Sequence, residues 1–185
     1  MALILIKETG AGLANANSYA DLADANAYHD GHLYASAWTA ATDAQKSTAL
    51  VMASRLIDAE FQFNGTRTVE SQSLQWPRTN CLDPDKAPNP VLTSLVLLSD
   101  PFVPANILPK AVVQATCEMA RELLIADRTV APAGEGLKYQ NVGTTQTGYD
   151  KTDRRQVLSQ VAQVMLAKYG SQISAHSGTV RLTRV

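Results

Sequence analysis

The sequence predicts a mainly α fold, a small helical bundle of about four helices, with a long irregular connection, an extended arm or loose hairpin, and a C-terminal β-strand tail. Three observations carry this. Apolar residues recur at spacings of three and four in four separate stretches. Six prolines (Pro77, Pro84, Pro88, Pro90, Pro101 and Pro104) fall between residues 63 and 106, where the helical period disappears. The last residues, Thr179, Val180, Arg181, Leu182, Thr183, Arg184 and Val185, alternate apolar with polar or basic side chains, the period of a strand.

Each element has its own justification. Residues 2–6 form an apolar run ahead of Lys7. It is shorter than the roughly 7–15 residues of a signal segment and lacks basic residues before it, so an edge strand fits better. Residues 10–17 read as a loop. Ser18 with Asp21 three residues later resembles an acidic capping box, so a helix is expected from Tyr19 to about Tyr28, with Tyr19, Leu22, Ala23, Ala27 and Tyr28 on one side and Gly31 ending it. Thr42 or Asp43 caps a second helix to about Phe61. Its stripe of Leu50, Ala53, Leu56 and Ile57 is widened by Val51 and Met52, which implies contact on two sides.

Within the proline-rich connection one apolar run, residues 91–98, could be a strand or a short helix. A connection this long in a small domain is usually functional. The third helix is the clearest. Pro109 sits in its first turn, and Leu108, Val112, Ala115, Met119, Leu123 and Ala126 follow the helical spacing. Residues 131–136 break it, and residues 137–149 set glycines among β-formers, the pattern of the arm or hairpin. Asp153 caps a fourth helix with Val157, Leu158, Val161, Val164, Met165 and Tyr169 on its apolar side and Gly170 at its end. A polar linker, residues 171–178, leads to the terminal strand. The chain thus divides into one helical domain, residues 1–170, and a flexible linker with tail, residues 171–185.

Composition narrows the function classes. At 45% hydrophobic and 18% charged the chain is globular, with no apolar run near the roughly 20 residues of a membrane span. A formal charge of -1 gives no global attraction to nucleic acid. Charge is uneven, however: residues 1–99 carry 6 Lys and Arg against 10 Asp and Glu, and residues 100–185 carry 10 against 7. Cys81 and Cys117 stand far apart with no close partner, which points to reduced cytoplasmic thiols rather than a zinc knuckle or disulfide framework.

Candidate chemistry is sparse, and neither enzyme activity nor a cofactor is expected. His29, Asp30 and His32 offer ligand types, but a metal site needs three or four converging ligands, so a surface helix end is the plainer reading. Glu118 and Glu122 lie one turn apart with Arg121 and Arg128 nearby; they read as a salt-bridged exposed face or a contact with a neighbouring subunit rather than as an acid–base pair. Neither thiol has a histidine beside it in sequence. Trp38, Trp76 and Arg78 could stack on bases and touch phosphate. Alternatively Trp76 anchors the connection onto the core, Pro77 sets its direction and Arg78 makes a charged contact there.

Several of these pieces, in order, resemble a phage family labelled DnaT-like single-stranded DNA-binding proteins, and are also similar to tailed-phage head-tail connector (adaptor, or head-completion) proteins. They are Asn17-Ser18-Tyr19 with Ala25 and Tyr28, Trp38, the helix holding Ala49-Leu50 and Arg55-Leu56-Ile57-Asp58, Gly65 with Arg67, Gln75-Trp76-Pro77-Arg78, and Ile107 and Pro109 leading into the helix with Glu118 and Ala120. The connector likeness rests on the arm, with Leu137, Tyr139, Val142, Gly143 and Tyr149, followed by a helix ending at Ala167-Lys168-Tyr169. Here the arm has an extra Gly148 and lacks an acidic residue after Gly143.

The connector resemblance implies a virion protein of the neck, assembled in the host cytoplasm. It would form a self-assembled ring, commonly a dodecamer, joining the portal protein to a tail-side neck or tail protein and closing the DNA-filled head. The arm would then be a subunit or neck interface, residues 179–185 would bind the portal by adding a strand to its sheet, and lumen-facing cations could touch passing double-stranded DNA. The alternative is a single-stranded DNA-binding protein of DnaT-like type. Neither involves a membrane.

Overall fold

Thr42 begins the longest helix because its side chain accepts the Gln45 N–H while Gln45 reaches back to the Thr42 N–H, a reciprocal cap. In this computed structural model, which describes residues 3–86, 101–130, 139–142, 145–148 and 156–173, the chain runs α1 (Leu22–Asp30), α2 (Ser36–Ala40), α3 (Asp43–Glu60), β1 (Phe61–Phe63), β2 (Thr66–Arg67), β3 (Arg78–Thr79), a 3-10 turn (Pro84–Lys86), α4 (Lys110–Ile125), β4 (Tyr139–Val142), β5 (Thr145–Gly148), α5 (Gln160–Leu166) and β6 (Gly170–Gln172). The strands make three two-stranded antiparallel sheets, β1–β6, β2–β3 and β4–β5. Among the described residues the architecture is therefore mixed, five helices plus small sheets, rather than a plain helical bundle.

The core lies between α3, α4 and α5. From α3 it takes Leu50, Ala53 and Ile57, from α4 Val112, Ala115 and Met119, and from the α5 region Leu158, Ala162 and Leu166. Burying such side chains contributes about 1.5–3 kcal/mol each for the larger ones. The width expected for α3 holds in part, since Ala49, Val51 and Ser54 are buried beside Leu50, Ala53 and Ile57, whereas Met52 and Leu56 are only half-buried.

Several boundaries differ from expectation. α1 starts at Leu22, not Tyr19, because Asp21 and Asp24 form the capping box, whereas Ser18 turns its hydroxyl to the Ala20 carbonyl. Its buried face is Ala25 and His29, and Ala23 and Ala27 are exposed. Tyr19 is buried, but from the extended segment before the helix. Pro109 is the N-cap of α4 rather than a first-turn residue.

The fourth expected helix, α5, is shorter, because Ser159 caps it through the Ala162 N–H. Its buried stripe is Leu158, Ala162 and Leu166, leaving Val161 and Val164 exposed at 49% and 67%. Gly170 does not end that helix. It starts β6, paired with Phe63 of β1, and a side chain there would sit 2.2 Å from the Gln62 carbonyl oxygen. Ser171 and Gln172, expected in the linker, are thus part of a strand pair.

The N-terminal segment is extended and makes a single bridge, Lys7 to Ser18, rather than an edge strand. Residues 137–149 include the β4–β5 hairpin, in register from Tyr139 opposite Gly148 to Val142 opposite Thr145. The apolar run 91–98, the cap Asp153 and the terminal strand 179–185 lie outside the described residues.

Candidate functional site

The Trp76-Pro77-Arg78 connection is locked into the core. Trp76 is fully buried, edge-on to Phe63 and Tyr169 with ring centroids 5.8 Å away in both cases. The Trp76–Pro77 peptide is cis. Arg78 is 4% exposed, and its guanidinium donates to the carbonyls of Asn64 (2.7 Å), Gly65 (2.6 Å) and Gln75 (3.0 Å) and to Gln75 Oε1 (3.0 Å). A planar fork with fixed donors suits several carbonyls converging from different directions.

Beneath it lies a polar network that the sequence did not announce. The Tyr19 hydroxyl donates to Asp58 and accepts the N–H groups of Gln75 (3.0 Å) and Trp76 (3.3 Å), and Asp58 Oδ2 accepts Gln75 N–H (3.1 Å). Burial pushes the Asp58 carboxyl up to about 6, against the opposing pull of the Tyr19 hydrogen bond and the nearby Arg67 and Arg78 charges. Burial likewise holds the Tyr19 hydroxyl well above the usual phenol range. Glu8 makes a second such anchor: its buried carboxylate accepts the N–H groups of Gly10, Gly12 and Leu13 at 2.8–2.9 Å.

Trp38 is also consumed by the fold. It is 1% exposed, stacks against His29 with centroids 4.7 Å apart, and donates from Nε1 to Asn26 at 2.9 Å. None of the three residues considered for base stacking or phosphate contact is therefore presented on the surface. His29 is not a surface helix end either, because it is buried with Nε2 3.2 Å from the Cys117 carbonyl. Among the described residues no three His, Cys, Asp or Glu side chains converge as metal ligands.

Glu118 and Glu122 are salt-bridged, but their face is not exposed. Glu118 is 2% exposed and pairs with Arg121, which also bridges to Glu122 (2.8 Å), and Arg128 meets Glu122 at 3.2 Å. Arg128 further donates to the carbonyls of Val157 (2.8 Å) and Gln156 (2.9 Å), tying α4 to the start of α5. Cys81 and Cys117 are buried, and burial drives the Cys117 thiol up to about 12, away from nucleophilic use.

On the described body, cations are mostly committed: Lys7 to Asp21 and Asp24, Arg78 to carbonyls, Arg121 and Arg128 to glutamates. Arg55, Lys110 and Lys168 are exposed but sit on separate elements. The densest basic stretch brackets the hairpin in sequence: Lys138, Lys151, Arg154 and Arg155 against Asp150 and Asp153. Of the arm residues expected at an interface, Tyr139 and Val142 fall on β4, whereas Leu137, Gly143 and Tyr149 lie outside the described residues, as do Thr179 to Val185.

No curated protein and no solved structure matches the chain. One protein-family description does, across residues 1–185. The chain belongs to the family described as "Putative DnaT-like ssDNA binding protein".

Proposed function

We propose that this protein binds single-stranded DNA non-catalytically, with the helical body as scaffold and the basic stretch around the β4–β5 hairpin as the contact element. The observation that carries the reading is family membership over the whole chain. Geometry restricts where the contact can be. Trp38, Trp76 and Arg78 are buried and so are not available to DNA, and the reading assigns phosphate contact to Lys138, Lys151, Arg154 and Arg155, the densest group of cations in the sequence. Phosphate neutralisation dominates nonspecific affinity, and a net charge of -1 is compatible with binding when cations cluster on one segment.

The test is anisotropy of a labelled oligonucleotide at two salt concentrations. Binding that weakens as salt rises is expected, and no binding at low salt would overturn the reading.

A second reading, the head-tail connector ring, is favoured by one feature: α5 and the α1–α2 loop leave Val161, Val164, Leu33 and Tyr34 exposed, at 49%, 67%, 86% and 72%. Apolar surface left open on a small body suits packing between subunits. In that reading the protein is a neck component of a virion, with portal and tail-side partners, and residues 179–185 bind the portal. Electron microscopy of portal-bearing heads mixed with this protein tests it: a ring below the portal is expected, and heads that acquire no density exclude it.

A further inference from the structure

The turn between β1 and β2 carries an Asn-Gly pair, Asn64 and Gly65, and both residues are exposed. Only glycine fits the second position: its φ is +75°, and a Cβ there would sit 2.2 Å from the Thr79 carbonyl oxygen. The Gly65 nitrogen is therefore unshielded by any side chain of its own. Among the described residues neither the Gly65 N–H nor the Asn64 side-chain amide has a hydrogen-bond partner. The backbone carbonyls of the pair are engaged instead. Arg78 Nε donates to the Asn64 oxygen at 2.7 Å, and Arg78 Nη2 donates to the Gly65 oxygen at 2.6 Å. A charge-assisted bond to the Asn64 carbonyl draws electron density out of the Asn64–Gly65 peptide and makes its N–H more acidic.

We propose that Asn64 is a self-modification site, deamidated by the Gly65 nitrogen under activation by the Arg78 guanidinium. Solvent base removes the Gly65 N–H proton, and the nitrogen's electron pair attacks Cγ of Asn64. The bond from Cγ to the side-chain nitrogen breaks, and that nitrogen takes up a proton and leaves as ammonia. Water then opens the resulting succinimide at either carbonyl, adding hydroxyl to carbon and hydrogen to nitrogen. The net change exchanges ammonia for water, with nothing oxidised or reduced. Opening at the backbone carbonyl leaves isoaspartate, which routes the chain through the former side chain and lengthens it by a methylene. That shifts the two carbonyls held by Arg78 and the Asn64 N–H held by the Tyr169 carbonyl at 2.9 Å. The modification thus loosens the clamp on the Trp76-Pro77-Arg78 connection as the protein ages. It is independent of DNA.

The test incubates the full folded chain at neutral and mildly alkaline pH and follows, by mass spectrometry, the segment 56–67 that trypsin releases by cutting after Arg55 and Arg67. Conversion at Asn64 is expected several-fold faster in the folded chain than in a synthetic peptide of that segment or in the chain unfolded by urea, because neither comparison has the guanidinium in place. Arg78→Lys keeps the charge but loses the Nε donor, and its rate is expected to fall toward that of the peptide. If that variant fails to fold, the urea comparison decides. The melting temperature of the wild type is expected to drop as isoaspartate accumulates, whereas Asn64→Gln, whose longer side chain disfavours ring closure, holds its value. The proposal is overturned if Asn64 stays unmodified in the folded chain, if it converts there no faster than in the peptide or in urea, or if a folded Arg78→Lys converts as fast as the wild type.

Discussion

Arg78→Met keeps most of the aliphatic stem and removes the guanidinium head. In the wild type that head donates four hydrogen bonds, three of them to backbone carbonyls of Asn64, Gly65 and Gln75. Charge-assisted bonds contribute about 1.5–3 kcal/mol each in net terms, but the full sum overstates the loss. Asn64 and Gly65 are exposed, so water can replace part of what the guanidinium supplied. The expected destabilisation is about 3–4 kcal/mol, a large share of the roughly 5–15 kcal/mol that a domain possesses. Arg78→Lys retains the charge but not the fork and should fall between, at about 2–3 kcal/mol.

Urea unfolding followed by tryptophan fluorescence reads this directly, because both tryptophans are buried. Oligonucleotide affinity of the folded fraction should be unchanged. If Arg78→Met were within about 0.5 kcal/mol of wild type, the range of ordinary surface changes, and yet lost DNA binding, the structural role assigned to Arg78 would be wrong.

Other perturbations probe different parts. Glu8→Gln replaces a carboxylate that accepts three backbone N–H groups with an amide whose NH2 faces one of them, and should cost about 2–3 kcal/mol in the same urea experiment. Burial pushes the Asp58 carboxyl up to about 6 in the folded chain, against the ordinary 3.8 of an exposed aspartate in the unfolded one. Its contribution to stability is therefore fully present below about pH 4 and is lost as pH rises through about 6, a swing of about 3 kcal/mol. Asp58→Asn should flatten that part of the stability–pH curve, whatever it does to the absolute value. Gly170→Ala should weaken the β1–β6 pairing and lower the melting temperature, since its Cβ would overlap the Gln62 carbonyl. Val164→Glu should leave urea stability within about 0.5 kcal/mol yet abolish any ring seen by electron microscopy if the connector reading holds.

Local signals were most legible where propensity and packing agree. The Thr42 cap with the Leu50, Ala53 and Ile57 stripe places α3 nearly to the residue, and the Val112, Ala115 and Met119 stripe alone places α4 to within a residue or two. α5 shows the limit. Val161 and Val164 fit a helical stripe as well as Ala162 and Leu166 do, and only packing against α4 decides which face is buried.

The small sheets escaped for another reason. β1, β2, β3 and β6 are two or three residues long, too short for a period of two to register, and β1 meets β6 across more than a hundred residues of chain. The Trp76-Pro77-Arg78 segment could be read from sequence as either a binding surface or an anchor, because indole and guanidinium chemistry serves both. Its burial resolves the matter. Glu8 gave no signal, and Tyr19 and Asp58, although both stand in the quoted motifs, gave none of their pairing, since the partners are backbone N–H groups or residues far away in the chain.

The most direct test of the central claim compares the wild-type chain with a variant carrying Lys138→Ala, Lys151→Ala, Arg154→Ala and Arg155→Ala in oligonucleotide titrations over a series of salt concentrations. Each phosphate contact contributes a slope of about -0.7 in log affinity against log salt for a single strand. The account predicts a wild-type slope of about -2 to -3 that approaches zero in the variant, together with a large loss of affinity at low salt. An unchanged slope and affinity in a variant that remains folded would contradict it.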